Sequence, residues 1–292
     1  MLHAIEPDYK DIITNANLRR RMSHFVKMGV ACGLQCIQKN ASRPIDAIIT
    51  ATGLGCIADT EKFLCSIIEN NEQLLNPTAF TQSTFNVVGA QIALLTNNHA
   101  YNNTFVHRGL SFESALIDAM MRINEGDKNI LVGAIDEATA ITQAIMQRLG
   151  LLNDATLGEG AQFFAIGDEP LGAYTELKAV KTLSGKIDHA EVSSAIRKLL
   201  ANAGIEPNNI DILLTGKNGN TEQDKIYAAI EKNLFESATQ LSFKDICGEY
   251  PTASSYAFYV AVDRLMSSAA PKNILIYNHY NAINHSIILL GR

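Results

Sequence analysis

A serine stands at a predicted strand-to-helix turn, in Gly109-Leu110-Ser111-Phe112-Glu113. Such a turn presents a hydroxyl for attack, and an Oγ activated by a nearby histidine transfers or hydrolyses acyl groups. His107 and His279 are the candidate bases. The second glycine of a Gly-x-Ser-x-Gly elbow is absent, so small-residue packing in the turn is the competing reading of Ser111. His107, next to Arg108, equally suits a strand end touching solvent. Cys32 and Cys36 lie four apart, on one face of a predicted helix. No further Cys or His follows at zinc spacing, which favours two small buried hydrophobes over a metal pair. No metal and no cofactor are expected.

Hydrophobic periodicity places these residues on an alternation of strands and helices. Helices are expected over 22–37, 61–69, 80–95, 112–124, 189–203, 221–234 and 256–266. Strands are expected over 45–50, 102–106, 130–133, 161–166, 174–180, 210–214, 241–243, 274–277 and 286–290. Asn76-Pro77 marks a turn, and Gly204 is a helix C-cap. The second half repeats the order of the first, with no long linker between them. This pattern argues for an α/β layered fold with largely parallel central sheets.

Composition narrows the function classes. The chain has 292 residues, 47% hydrophobic and 18% charged, enough to build a substantial core. Its net charge of −6 is unlike that of a nucleic-acid binder. Arg19-Arg20-Arg21 with Lys27 is the one basic cluster, read as a solvated helix start. Five cysteines and no signal peptide fit a reducing cytoplasm. The longest apolar runs are strand-length, so no membrane span is expected.

Several segments, taken in order, resemble the β-ketoacyl synthases. Residues 104–136 are similar to the nucleophile turn of that family, anchored on Glu125-Gly126-Asp127 and the strand 130–133. Arg20-Arg21-Met22-Ser23-His24-Phe25 resembles its early helix. Asn76-Pro77 and residues 80–90 resemble its interface helix, and Leu157-Gly158-Glu159-Gly160-Ala161 a turn of the same sequence. Residues 201–207 with Ile210-Asp211 resemble the approach to its first catalytic histidine. The resemblance implies an α/β thiolase-like fold. Its two similar halves, about 1–168 and 169–292, would share a single domain, layered α-β-α-β-α.

The family's chemistry uses one Cys and two His. The Cys carries the acyl chain as a thioester, and the histidines assist decarboxylation and stabilise the enolate and oxyanion. The resemblance puts Gly109 at the Cys position, Gly216 at the first His and Glu249 at the second. Lys244 matches the family's supporting lysine, and Asp224 is retained. Lys244 and Glu249 are suited to a salt bridge in place of the lost contacts. Residues 277–286 replace a glycine-rich loop with a shorter one that has no glycine.

The resemblance therefore implies a catalytically empty, chain-length-factor-like subunit, like the compact versions of bacterial aryl polyene pathways. Its expected partner is an active β-ketoacyl synthase, in polyene, polyketide or fatty acyl elongation. An acyl carrier protein would engage only indirectly, since an acidic chain docks an acidic carrier poorly. Residues 102–107 would form the dimer edge. Thr84, Phe85, Phe105 and His107 would line the interface or the acyl tunnel, with Phe85 as a tunnel floor. Ordinary core packing is the competing reading of Phe85. Two other functions stay open: a Ser111-dependent acyl hydrolase or transferase, and a homodimeric acyl-binding protein.

Overall fold

The computed structural model describes residues 1–40, 43–169, 175–267 and 271–292. The first half runs α1 (Ala16–Arg21), α2 (His24–Lys39), β1 (Ala47–Ala51), α3 (Ile57–Glu69), α4 (Pro77–Gln82) and α5 (Val87–Thr96). It continues with β2 (Tyr101–Phe105), α6 (Ser111–Glu125), β3 (Asn129–Asp136), α7 (Ala140–Arg148) and β4 (Gly160–Gly167). The second half holds β5 (Glu176–Ser184), α8 (His189–Asn202), β6 (Ile212–Thr215), α9 (Thr221–Leu234) and β7 (Thr239–Ser242). It ends with α10 (Lys244–Cys247), α11 (Ser254–Met266), β8 (Asn273–Tyr280) and β9 (Asn284–Gly291). The strand expected over 174–180 begins outside the described residues and is found as β5.

The repeat read from the sequence is a repeat of topology. The first sheet has the order β2-β1-β3-β4, and the second repeats it as β7-β6-β8-β9 with β5 added beside β9. In each, three strands are parallel and the fourth is antiparallel. Strands β1 and β3 are buried along their whole length. Helices cover both faces of the sheet, which demands apolar residues on both sides of the strand.

Five layers result. Helices α2 and α5 pack on the outer face of the first sheet through Val26, Val30, Val88 and Ile92 against Ile48 and Leu131. Helices α6 and α11 lie between the two sheets. There Phe112, Leu116, Ala257 and Ala261 meet Ile49, Val132, Ile276 and Ile288. On the far side α8 and α9 cover Leu213, Leu275 and Leu289. The central core thus takes residues from both halves. Local signals fix the helix ends: Gly126 and Gly204, at φ +115° and +67°, end α6 and α8. Asp188 and Glu191 form a capping box at the start of α8.

Three expectations need correction. The single helix over 80–95 is two, α4 and α5, broken at 83–86. The shorter loop expected over 277–286 is mostly strand. Strands β8 and β9 extend through these residues and leave only 281–283 as a turn, with Asn281 and Ala282 at positive φ. The polar run Asn278-His279 looks like loop, yet both residues are buried in the strand. Helix α7 carries no strong periodicity and was not expected.

Candidate functional site

The parallel strands of both sheets point their C-terminal ends at one region, where open α/β sheets place their ligands. There the segment after β1, the end of β3 and the segment before α11 are clasped by one carboxylate. Asp136 Oδ1 accepts from Thr52 Oγ1 (2.9 Å), the Gly53 amide (2.9 Å) and the Leu54 amide (3.3 Å). Its Oδ2 accepts from the Thr252 amide (3.0 Å) and hydroxyl (2.7 Å). Burial pushes this carboxyl's pKa up, and the donors from Thr252, Gly53 and Thr52 pull it back. Nothing in the sequence flagged Asp136, a lone acid at a strand end.

Gly109 follows β2 in a short 3-10 turn and is buried. A Cβ built on it would lie 2.3 Å from the Cβ of Tyr280 and 2.8 Å from its Cγ. The last residue of β8 therefore fills the space that a side chain at 109 would need. The backbone at Gly109 is not left-handed. The strained residue of the turn is Arg108, at φ +49°. Glycine is required here for close approach, not for turn conformation.

Gly216 follows β6 in the same manner. A Cβ there would meet Asn278 Oδ1 at 2.2 Å and the Tyr227 hydroxyl at 2.7 Å. Tyr227 in turn accepts the His279 amide at 2.9 Å. Glu249, in the turn before α11, is buried and does form the expected pair with Lys244. Its Oε2 accepts from Lys244 Nζ (2.8 Å) and Asn218 Nδ2 (2.7 Å). Lys244 Nζ also donates to the His279 carbonyl at 3.0 Å. One neighbour, Glu113, was missed from the sequence, and His279, read there as a candidate base, takes another place. Glu113 is wholly buried and driven by burial toward its neutral form, with the Ser254 and Ser286 hydroxyls beside it pulling the other way. His279 is buried, stacked on Tyr227, and held down to about 3, chiefly by desolvation.

The structure does not assemble a serine catalyst. Ser111 Oγ donates to the Arg108 carbonyl (2.8 Å) and accepts the His107 amide (2.7 Å). Both contacts are to backbone, and they lock the turn. The His107 ring is exposed and meets Ser114 Oγ at 3.3 Å. His279 faces the Gln223 carbonyl at 3.2 Å. Neither imidazole ring is hydrogen-bonded to Ser111 Oγ, so no base is in place to take its proton.

The tunnel and interface candidates separate. Thr84 and Phe85 lie in the break between α4 and α5, not on a helix. Thr84 Oγ1 donates to the Thr81 carbonyl at 3.1 Å. The Phe85 ring lies on Gly55, whose added Cβ would sit 2.5 Å from Cδ1, and the residue remains 48% exposed. That exposure argues against ordinary core packing. Phe105 does pack inward, against the central core. Strand β2 is an edge of its sheet, as the dimer-edge reading requires. Cys32 and Cys36 pack against the outer core, and burial pushes their thiols up to about 11 and about 12. Among the described residues no helix is long and apolar enough to cross a membrane.

Two repeated α/β halves, with their parallel strands converging on one polar centre, define the thiolase-like ketoacyl synthase fold. Residues 8–147 match the family described as Beta-ketoacyl synthase, N-terminal domain. That match covers just under half of the chain, and the chain as a whole carries the thiolase-like fold. The structure titled "The ishigamide ketosynthase/chain length factor" superposes with a TM-score of 0.84 at 14% identity, covering 99% of this chain and 86% of that one. A type II polyketide ketosynthase in complex with its acyl-carrier protein gives 0.81 at 14% identity, over 99% and 89%. A β-ketoacyl synthase from Burkholderia phymatum gives 0.75 at 13%, over 99% and 86%. A search of curated proteins finds no match to this sequence.

Proposed function

We propose that this chain is a non-catalytic, chain-length-factor-like partner of an active β-ketoacyl synthase. The observation that carries the proposal is that the three positions the resemblance aligns with the catalytic Cys and His are each occupied by something else. Tyr280 fills the space beside Gly109, Asn278 and Tyr227 fill that beside Gly216, and Glu249 is consumed by Lys244. A carboxylate opposes an enolate, and a missing hydrogen-bond donor to an oxyanion costs about 2.7–4 kcal/mol of transition-state stabilisation. The absent nucleophile has no substitute. The ketosynthase/chain length factor structure of similar fold supports the pairing.

The interface we infer is the β2 edge, with the exposed side chains Tyr101 and Val106 on or next to it, together with the exposed Phe85. An edge strand offers unpaired backbone groups to a partner strand. Phe85, exposed in the α4–α5 break, would then reach the partner's acyl tunnel and limit its depth. The setting we infer is chain elongation in a polyene or polyketide pathway, with the carrier protein engaged by the partner.

The test is co-expression with the synthase encoded beside it, followed by size-exclusion chromatography and a condensation assay. We expect a 1:1 complex that is active only as a pair. A stable homodimer that ignores the synthase, or acyl label on the isolated chain, would sink the proposal. In the pair, Phe85→Ala should lengthen the product, and an unchanged product removes Phe85 as the floor.

A further inference from the structure

On the opposite edge of the first sheet from β2 lies a cavity of about 410 Å³. The N-terminal segment roofs it. That segment is held by Leu2, whose amide donates to the Leu157 carbonyl at 2.8 Å, and by His3 Nδ1, 3.0 Å from Glu159. The volume is in the range of small-molecule sites, and nothing in the proposed subunit role uses it.

The deep wall carries free donors. Tyr250 is 1% exposed, and among the described residues its hydroxyl makes no well-formed hydrogen bond, with the Gln162 amide and the Cys247 thiol as its polar neighbours. A buried hydroxyl without a partner is costly unless something occupies the space before it. Gln162 lies beside it. Its Oε1 accepts from Ser255 Oγ at 2.6 Å, which leaves its amide Nε2 to donate. Gly160 keeps the gap open: a Cβ there would come within 3.0 Å of both Gln162 Nε2 and the Tyr250 hydroxyl.

The charges decide what enters. Among the described residues no Lys or Arg lines the cavity, and the carboxylates that do are Glu6 and Glu159. Glu159 accepts from the Ala4 amide (3.2 Å) and the Ala138 amide (3.0 Å) as well as facing His3. Glu6 faces His24 Nε2 at 2.9 Å. An anion would meet two negative groups, and a cation would find both carboxylates already engaged. Met28, Ala31 and Ala161 supply apolar wall. We propose that this cavity binds a neutral, mainly apolar molecule bearing a carbonyl acceptor, of the acyl amide or ester class. The carbonyl accepts from Tyr250 and Gln162.

Isothermal titration of the full chain with octanamide and with octanoate tests this. Octanamide should bind saturably, with octanoate at least ~10-fold weaker because of the carboxylates. Tyr250→Phe removes one hydrogen bond and should weaken octanamide by ~2–10-fold. Its melting temperature should not fall below the wild-type value, because the lost hydroxyl makes no well-formed hydrogen bond in the fold. Gly160→Ala, which covers both donors, should weaken octanamide at least as much. Equal binding of octanoate, undiminished octanamide binding in both variants, or no saturable binding at millimolar octanamide would overturn the proposal.

Discussion

Replacing Glu249 by Ala isolates the energetic consequence of the buried ion pair at the candidate site. The side chains of Lys244 and Glu249 are 1% and 6% exposed, and their charges meet at 2.8 Å. In Glu249→Ala the ammonium keeps only the His279 carbonyl, and the Asn218 amide loses its acceptor. Removing one member of a buried ion pair costs about 3–5 kcal/mol, because the other charge stays buried without compensation. With a urea m-value near 3 kcal/mol/M, the unfolding midpoint should fall by about 1–1.7 M at unchanged m. The double variant Lys244→Met/Glu249→Leu should recover most of that loss, since an apolar pair avoids desolvating any charge. Urea titrations followed by circular dichroism check both. A loss below about 1 kcal/mol for Glu249→Ala, or a double variant no better than the single, would refute a dry, closed pair.

The same centre sets the remaining expected outcomes. Gly109→Cys should not create an acyl-enzyme by intact-mass measurement. It should also destabilise the chain by about 1–3 kcal/mol, through the clash with Tyr280. Adding Tyr280→Ala should relieve part of that loss, and thioester formation in the single variant would contradict the closed site. For pH, His279 is held near 3 in the folded chain against an unfolded value of about 6.5. The unfolded state then binds the extra proton, so stability is full above 6.5 and falls as pH drops toward 3. The slope from this one group approaches 1.4 kcal/mol per pH unit, and His279→Asn should flatten the curve in that window. His24 acts in the opposite sense. Hydrogen bonding to Glu137 leads its rise to about 9, so its contribution is full below 6.5 and fades as pH climbs through 9.

How far the sequence reached depended on whether the deciding contact was local. The end of α8 was legible because Gly204 is itself the residue that adopts positive φ. The helix over 221–234 was legible because its apolar spacing lies within the segment. The break between α4 and α5 was not, since Gln82-Ser83-Thr84-Phe85-Asn86 holds no Gly or Pro to stop a helix. The end of β8 was unreadable for another reason. Asn278 and His279 are polar, and their burial depends on Tyr227, Gln223 and Lys244, all far away in the chain.

The sequence by itself determined the repeated strand-and-helix order, the turn at Gly109 and the absence of Cys and His at the three aligned positions. Those are properties of residue type and spacing along one segment. Only the tertiary structure decided what stands in the emptied places. Tyr280, Asn278 and Tyr227 reach them across the sheets, Asp136 clasps the two halves beside them, and the Tyr250 hydroxyl is left without a well-formed hydrogen bond at a cavity wall. Each depends on residues from distant segments arriving within a few ångströms of one another, and close packing of that kind leaves no trace in the order of the chain.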